Sequence, residues 1–138
     1  MAGMFRVGGN IVDLANGEVF PGIVVVRDGL IEHIERTSET YDHYLIPGFV
    51  DAHIHVESSM LAPAEFSRMA SVHGTVATVS DPHEIANVLG VAGVEYMIAE
   101  SRRGAVKVHY GAPSCVPATE FESAGAVLGP RISREGHP

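Results

Sequence analysis

The run Pro47-Gly48-Phe49-Val50-Asp51-Ala52-His53-Ile54-His55 constrains this chain more than any other stretch of it. It is apolar and extended in character, and it ends in two histidines one residue apart. On a strand, alternate side chains share a face, so His53 and His55 point the same way and their imidazoles can close on one cation. On a helix the same spacing would swing them about 200° apart. The strand reading makes the pair half of a metal site; the alternative is two incidental surface histidines. Phe49, Asp51, His53 and His55 form one face, with the polar groups gathered at the carboxyl end, while Val50, Ala52, Ile54 and Val56 form an apolar back. Such a strand suits a parallel sheet covered by helices, with its chemistry at the carboxyl edge.

The pattern differs on either side of this run. Before it, residues 22–27 (Gly-Ile-Val-Val-Val-Arg) and residues 30–35 are β-prone and flank Asp28-Gly29, a two-residue hairpin signal in which both turn positions need positive φ. Asn16-Gly17 offers an earlier turn. Residues 1–46 are therefore expected to form a small β-rich segment. After the run, residues 63–73 carry Phe66, Met69 and Ala70 at helical spacing, and Gly74 is placed to end that helix. Residues 75–80 (Thr-Val-Ala-Thr-Val-Ser) read as a second strand. Ile85, Val88, Leu89, Ala92, Tyr96 and Ala99 follow helical periodicity and predict one long helix running through Gly90 and Gly93 to Arg102-Arg103, cations that suit a helix C-terminus. Residues 106–111 make a third strand.

The order β-α-β-α-β, with right-handed crossovers, makes the strands parallel and brings three loops to one edge. They are His55-Val56-Glu57-Ser58-Ser59, Asp81-Pro82-His83-Glu84 and Ala112-Pro113-Ser114-Cys115. Histidines and carboxylates concentrate where such folds do chemistry. Residues 130–138 show no periodicity and are expected to fray.

Composition narrows the functional classes. A 46% hydrophobic content and a mean hydropathy of +0.15 fit a packed domain. The net charge is -8, and the nine Lys and Arg residues form no basic stripe, so nucleic acid is not an expected partner. With Cys115 as the one cysteine, neither an intrachain disulfide nor a multi-cysteine zinc cage is available. No apolar run approaches the ~18 residues of a membrane span and the N-terminus lacks a leader pattern, so a cytoplasmic protein without a membrane partner is expected.

The run 47–55 after a β-rich start resembles the metal-dependent amidohydrolase superfamily, whose catalytic domain is a (β/α)₈ barrel attached to a small β-sandwich. Within it, His53-Ile54-His55-Val56-Glu57-Ser58-Ser59-Met60, residues 80–90 (Ser-Asp-Pro-His-Glu-Ile-Ala-Asn-Val-Leu-Gly) and residues 111–119 (Gly-Ala-Pro-Ser-Cys-Val-Pro-Ala-Thr) resemble the adenine deaminases. The resemblance implies an α/β fold: residues 47–129 as the first three β/α units of a TIM-like barrel, and residues 1–46 as a sandwich-like part of the small domain. It implies hydrolysis of adenine to hypoxanthine and ammonia, a step of purine salvage, with a purine as the small-molecule partner. A divalent metal is implied, manganese or iron with zinc as an alternative, and a homo-oligomer or a chain completed by further barrel segments. A full barrel takes about 250 residues, so later metal ligands are expected outside this chain.

Carried over residue by residue, the resemblance makes His53 and His55 metal ligands. Asp51, on their face, is a candidate to orient an imidazole, or forms a structural salt link. His83 and Glu84 are the catalytic candidates, for proton shuttling or base recognition; His83 alternatively anchors a helix start. Glu57 and Ser58 contact the purine or brace the metal ligands, and Glu57 alternatively caps a helix. Cys115 either lines the pocket or is a small buried thiol. Two related chemistries are disfavoured. His55-Val56-Glu57 satisfies half of the zinc cytidine deaminase signature, but the other half needs two cysteines. The sole lysine, Lys107, begins its strand and lies at the wrong end to bridge two metals as in hydantoinases. What remains beside a deaminase is a non-catalytic metal-binding or assembly fragment, or another amidohydrolase acting on a cyclic amide.

Overall fold

The structure is a computed structural model and describes residues 3–113, 116–117, 119 and 121–128. The chain divides into two units at Pro47 and Gly48.

The first unit is a four-stranded sheet of order β3-β2-β1-β4. Strands β1 (Met4–Asp13), β2 (Glu18–Arg27) and β3 (Leu30–Arg36) form an antiparallel meander, and the short β4 (Tyr44–Leu45) pairs parallel to β1. Both turns have a chemical cause. The Asp13 carboxylate accepts hydrogen bonds from the backbone N–H of Ala15 and Asn16 and from Asn16 Nδ2, closing the first turn before Gly17 at φ 67°. Asp28 (φ 53°) and Gly29 (φ 81°) supply the two positive-φ positions of the predicted two-residue turn. The approach to β4 is tied to β1: Asn10 Nδ2 donates to the carbonyls of Tyr41 and His43, and a Cβ on Gly8 would lie 2.6 Å from Tyr41 Oη.

The register aligns Arg6, Val25 and His33 on one face, where Val25 is buried and the Glu35 carboxylate accepts from both Arg6 and His33. On the other face Phe5, Val26 and Ile31 are in register, with Phe5 and Ile31 more than half exposed. Among the described residues this unit is one sheet, not two packed layers.

The second unit is a parallel sheet of order β5-β6-β7, formed by β5 (Phe49–Ile54), β6 (Thr75–Ser80) and β7 (Lys107–Tyr110). The predicted β-α-β-α-β order is present. Helix α1 (Pro63–Ser71) follows β5, with Pro63 at its first turn, where a missing N–H costs nothing. After Val72 the chain reverses at Gly74, φ 86°. The core joins Val56, Phe66 and Met97, with Ile54, Leu61, Ala70, Ile85 and Tyr110 packed around them. Thus Ile54 at the end of β5 and Val56, in the turn just after it, do pack against helices, while Val50 is 61% exposed. One buried tie fixes α1 to the entry of β7: the Val106 N–H donates to Ser67 Oγ at 2.8 Å, and Gly104 leaves room, since a Cβ there would meet that oxygen at 2.4 Å.

The long helix predicted through Gly90 is two helices, α2 (His83–Leu89) and α3 (Val91–Ser101). Gly90 sits at φ 63°, ψ -145°, a conformation open to glycine and costly for L-residues. The apolar spacing is nearly unchanged across the break, so periodicity alone reads straight through it. Gly93 then lets the two helices touch, because a Cβ there would lie 2.9 Å from both Ile85 Cγ1 and Ile85 O.

Candidate metal centre

The carboxyl ends of β5 and β6 place three imidazoles together. The rings of His53 and His55 meet edge to face with centroids 5.0 Å apart, and those of His55 and His83 at 4.7 Å. His53 Nε2 and His55 Nε2 are 3.2 Å apart. One donor atom from each of His55, His83 and Glu84 fall within 4.8 Å of one another. The pairing of β5 with β6 shifts register between Asp51 and Ile54, just where His53 projects, and such irregularities commonly re-aim side chains beside active sites.

Two contacts to Asp81 set the histidine tautomers. His55 Nδ1 lies 2.9 Å from the Asp81 backbone carbonyl, which can only accept. Nδ1 therefore carries the proton, and Nε2 of the neutral ring offers its lone pair toward His53. His83 Nδ1 lies 3.1 Å from Asp81 Oδ2, again an acceptor, which leaves His83 Nε2 as the free nitrogen. Asp81 itself is held by its N–H, which donates to the Ile54 carbonyl at 3.0 Å.

This donor set fits a divalent cation. Two nitrogens 3.2 Å apart match donors each about 2.0–2.1 Å from a shared ion at a near-tetrahedral angle. Histidine ligands that donate their other nitrogen to a carbonyl or carboxylate are the usual outer support of such sites, and Asp81 supplies both kinds. Asp81 Oδ1 and Glu57 Oε2 are buried without a hydrogen-bond partner among the described residues, which leaves acceptor capacity around the cluster.

The structure brings His53, His55, His83 and Glu84 to one edge. Asp51 Oδ1 accepts from the backbone N–H of His53 at 3.1 Å, so its observed contact is with main chain and not with an imidazole. Glu57 Oε1 accepts from the Ile85 N–H at 3.3 Å, at the start of α2, and Ser58 Oγ donates to Glu84 Oε1 at 2.6 Å. Cys115 lies outside the described residues, as does the tail 130–138. Asp81, which the sequence places in the loop 81–84 without a role, is the residue that supports both imidazoles; it directly follows β6 and stands two residues before His83, close enough for its carboxylate to reach that ring. Beneath the site, burial pushes the Tyr110 phenol up to about 12; a hydrogen bond with Ser101 opposes this and the Glu57 charge adds to it.

A parallel β-α-β edge bearing clustered imidazoles and carboxylates defines an α/β unit able to hold a divalent cation at the carboxyl ends of its strands. The sequence comparisons are specific: the amidohydrolase family matches residues 44–137, and the chain belongs to that family. An adenine deaminase of Salinibacter ruber is 57% identical over 130 residues, covering 94% of this chain and 24% of that protein. One from Sulfurovum is 60% identical over 121 residues, covering 88% and 23%, and one from Borreliella burgdorferi is 49% identical over 127 residues, covering 91% and 23%. The chain thus spans about a quarter of the length of the curated relatives it matches. No helix among the described residues is long and apolar enough to cross a membrane.

Proposed function

We propose that this chain carries the first metal-binding edge of an adenine deaminase, which hydrolyses adenine to hypoxanthine and ammonia in purine salvage. The observation that carries the reading is the His53–His55 pair, whose Nε2 atoms lie 3.2 Å apart with His55 held in the metal-ready tautomer by Asp81. The names and identities of the relatives supply the substrate. On this reading residues 47–129 are the opening β/α units of a (β/α)₈ barrel, and residues 1–46 belong to a small β domain.

His53 and His55 would hold the cation, manganese or iron by preference and zinc as the alternative. That ion would supply a nucleophile at neutral pH by lowering the pKa of water toward ~7. The reaction joins the water oxygen to the ring carbon that bears the amine and breaks that carbon's exocyclic C–N bond. The departing nitrogen needs a proton. His83 and Glu84 stand at the same edge to carry it, His83 through the Nε2 that its bond to Asp81 leaves free. Asp81 keeps both imidazoles in their working tautomers, and Asp51 acts indirectly through the His53 main chain. Glu57 and Ser58 brace this edge, Glu57 through the Ile85 N–H and Ser58 through Glu84.

The coverage of about a quarter of each relative favours one second reading, in which the chain binds metal and assembles with further barrel segments without turning over alone. The assembled enzyme is read as cytoplasmic, either a homo-oligomer or completed by those segments. Ammonia release from adenine, measured with manganese, iron or zinc added, separates the two. Turnover abolished by replacing His53 and His55 supports the enzyme; a folded, metal-loaded chain that releases no ammonia leaves the metal-binding reading.

A further inference from the structure

We propose that Ser58 is a positioning residue for Glu84, so that the turn after β5 sets the geometry of the donors offered by the loop after β6. The proposal rests on the reading of this edge as a cation site held by His53 and His55, beside which Glu84 offers a donor atom within 4.8 Å of those of His55 and His83. Ser58 Oγ donates to Glu84 Oε1 at 2.6 Å, across 26 residues of sequence. That distance is in the short range typical of hydroxyl-to-carboxylate bonds. A glutamate side chain otherwise samples several rotamers, and anchoring one oxygen selects among them.

A second tie from the same turn acts on the backbone. Glu57 Oε1 accepts from the Ile85 N–H, one of the first-turn donors of α2 that have no partner within their own helix. The residue at the N-cap of α2 is Pro82, and no side-chain cap is made there. The support for this helix start therefore comes from outside it, from the 3-10 turn Val56–Ser59. Ser58 grips the side chain of Glu84 while Glu57 grips the main chain one residue further on. With these atoms so engaged, Ser58 acts through Glu84 and not on the substrate. Threonine preserves the hydroxyl and alanine removes it, which makes the role separable from simple occupancy of space.

The test uses cobalt(II) as the probe, titrated into the full chain and followed by visible absorption, with Ser58→Ala, Ser58→Thr, Glu84→Gln, His55→Ala and the double variant Ser58→Ala/Glu84→Gln. Ser58→Ala is expected to weaken cobalt binding about tenfold, the low end for groups that orient metal ligands, and to alter the d–d bands. Ser58→Thr is expected to restore both, and in the Glu84→Gln background Ser58→Ala is expected to have no further effect. A purely structural serine would change thermal stability and leave the cobalt spectrum alone. The proposal is overturned if Ser58→Ala binds cobalt as the unmodified chain does with the same spectrum, or if its effect persists undiminished beside Glu84→Gln. The underlying metal reading fails separately, and takes the proposal with it, if the unmodified chain and His55→Ala bind cobalt identically.

Discussion

Replacing Gly90 by alanine reverses sign between two descriptions of the same residues. If residues 85–103 formed one helix, alanine at an interior position would stabilise it by about 0.8–1 kcal/mol relative to glycine. In the structure Gly90 is the junction between α2 and α3, at φ 63° and ψ -145°. An L-residue held there costs of order 1–3 kcal/mol. The added Cβ would also approach Ala126 Cβ to 3.1 Å, so that neighbour must yield by a few tenths of an ångström. Gly90→Ala is therefore expected to destabilise by roughly 1–3 kcal/mol, and for a unit of this size each kcal/mol lowers the melting temperature by about 4–8 °C. Urea unfolding monitored by circular dichroism reads this as a lower midpoint at unchanged slope. A raised midpoint would refute the break at Gly90, and with it the geometry that sets α2, and hence His83 and Glu84, apart from α3.

Further outcomes follow from other contacts. Ser67→Ala leaves the Val106 N–H without its acceptor in a fully buried position, and should cost about 1–3 kcal/mol by denaturant unfolding; an unchanged midpoint would mean that the tie is not made. His43 has Nδ1 against the Asp42 carboxylate and Nε2 against the Gly8 carbonyl, both acceptors, and the Asp42 bond leads the causes that raise its pKa. A raised folded pKa stabilises fully below the unfolded value near 6.5 and loses that contribution as pH rises through the folded one. NMR titration should give His43 a midpoint above 6.5, and a midpoint at or below it would contradict the contact. Burial holds Tyr110 at about 12; ultraviolet titration should show a phenolate step near that pH which Tyr110→Phe removes, and an unchanged curve in that variant would contradict the burial.

The β5 strand that leads into the histidine pair, the Asp28-Gly29 turn and the β-α-β-α-β order are legible because each rests on local chemistry: alternation, positive-φ residues and apolar period. Gly90 escapes such reading because a helix break that preserves periodicity leaves no trace in the pattern. The position of Glu57 is set by a contact 28 residues away with the N–H of Ile85, and only folding brings those groups together. Asp81 is an intermediate case. Its place beside the β6 end was visible, but its work is done half by a main-chain carbonyl, and every residue has one. Side-chain type therefore could not single it out for the bond to His55.

X-ray absorption at the metal edge of the manganese-, iron- or zinc-loaded chain tests the His53–His55 pair most directly. Imidazole scattering at about 2.0–2.1 Å from a zinc probe, lost together with stoichiometric binding in the His53→Ala/His55→Ala variant, is the predicted result. Metal retained in that variant with an unchanged imidazole signature would contradict it.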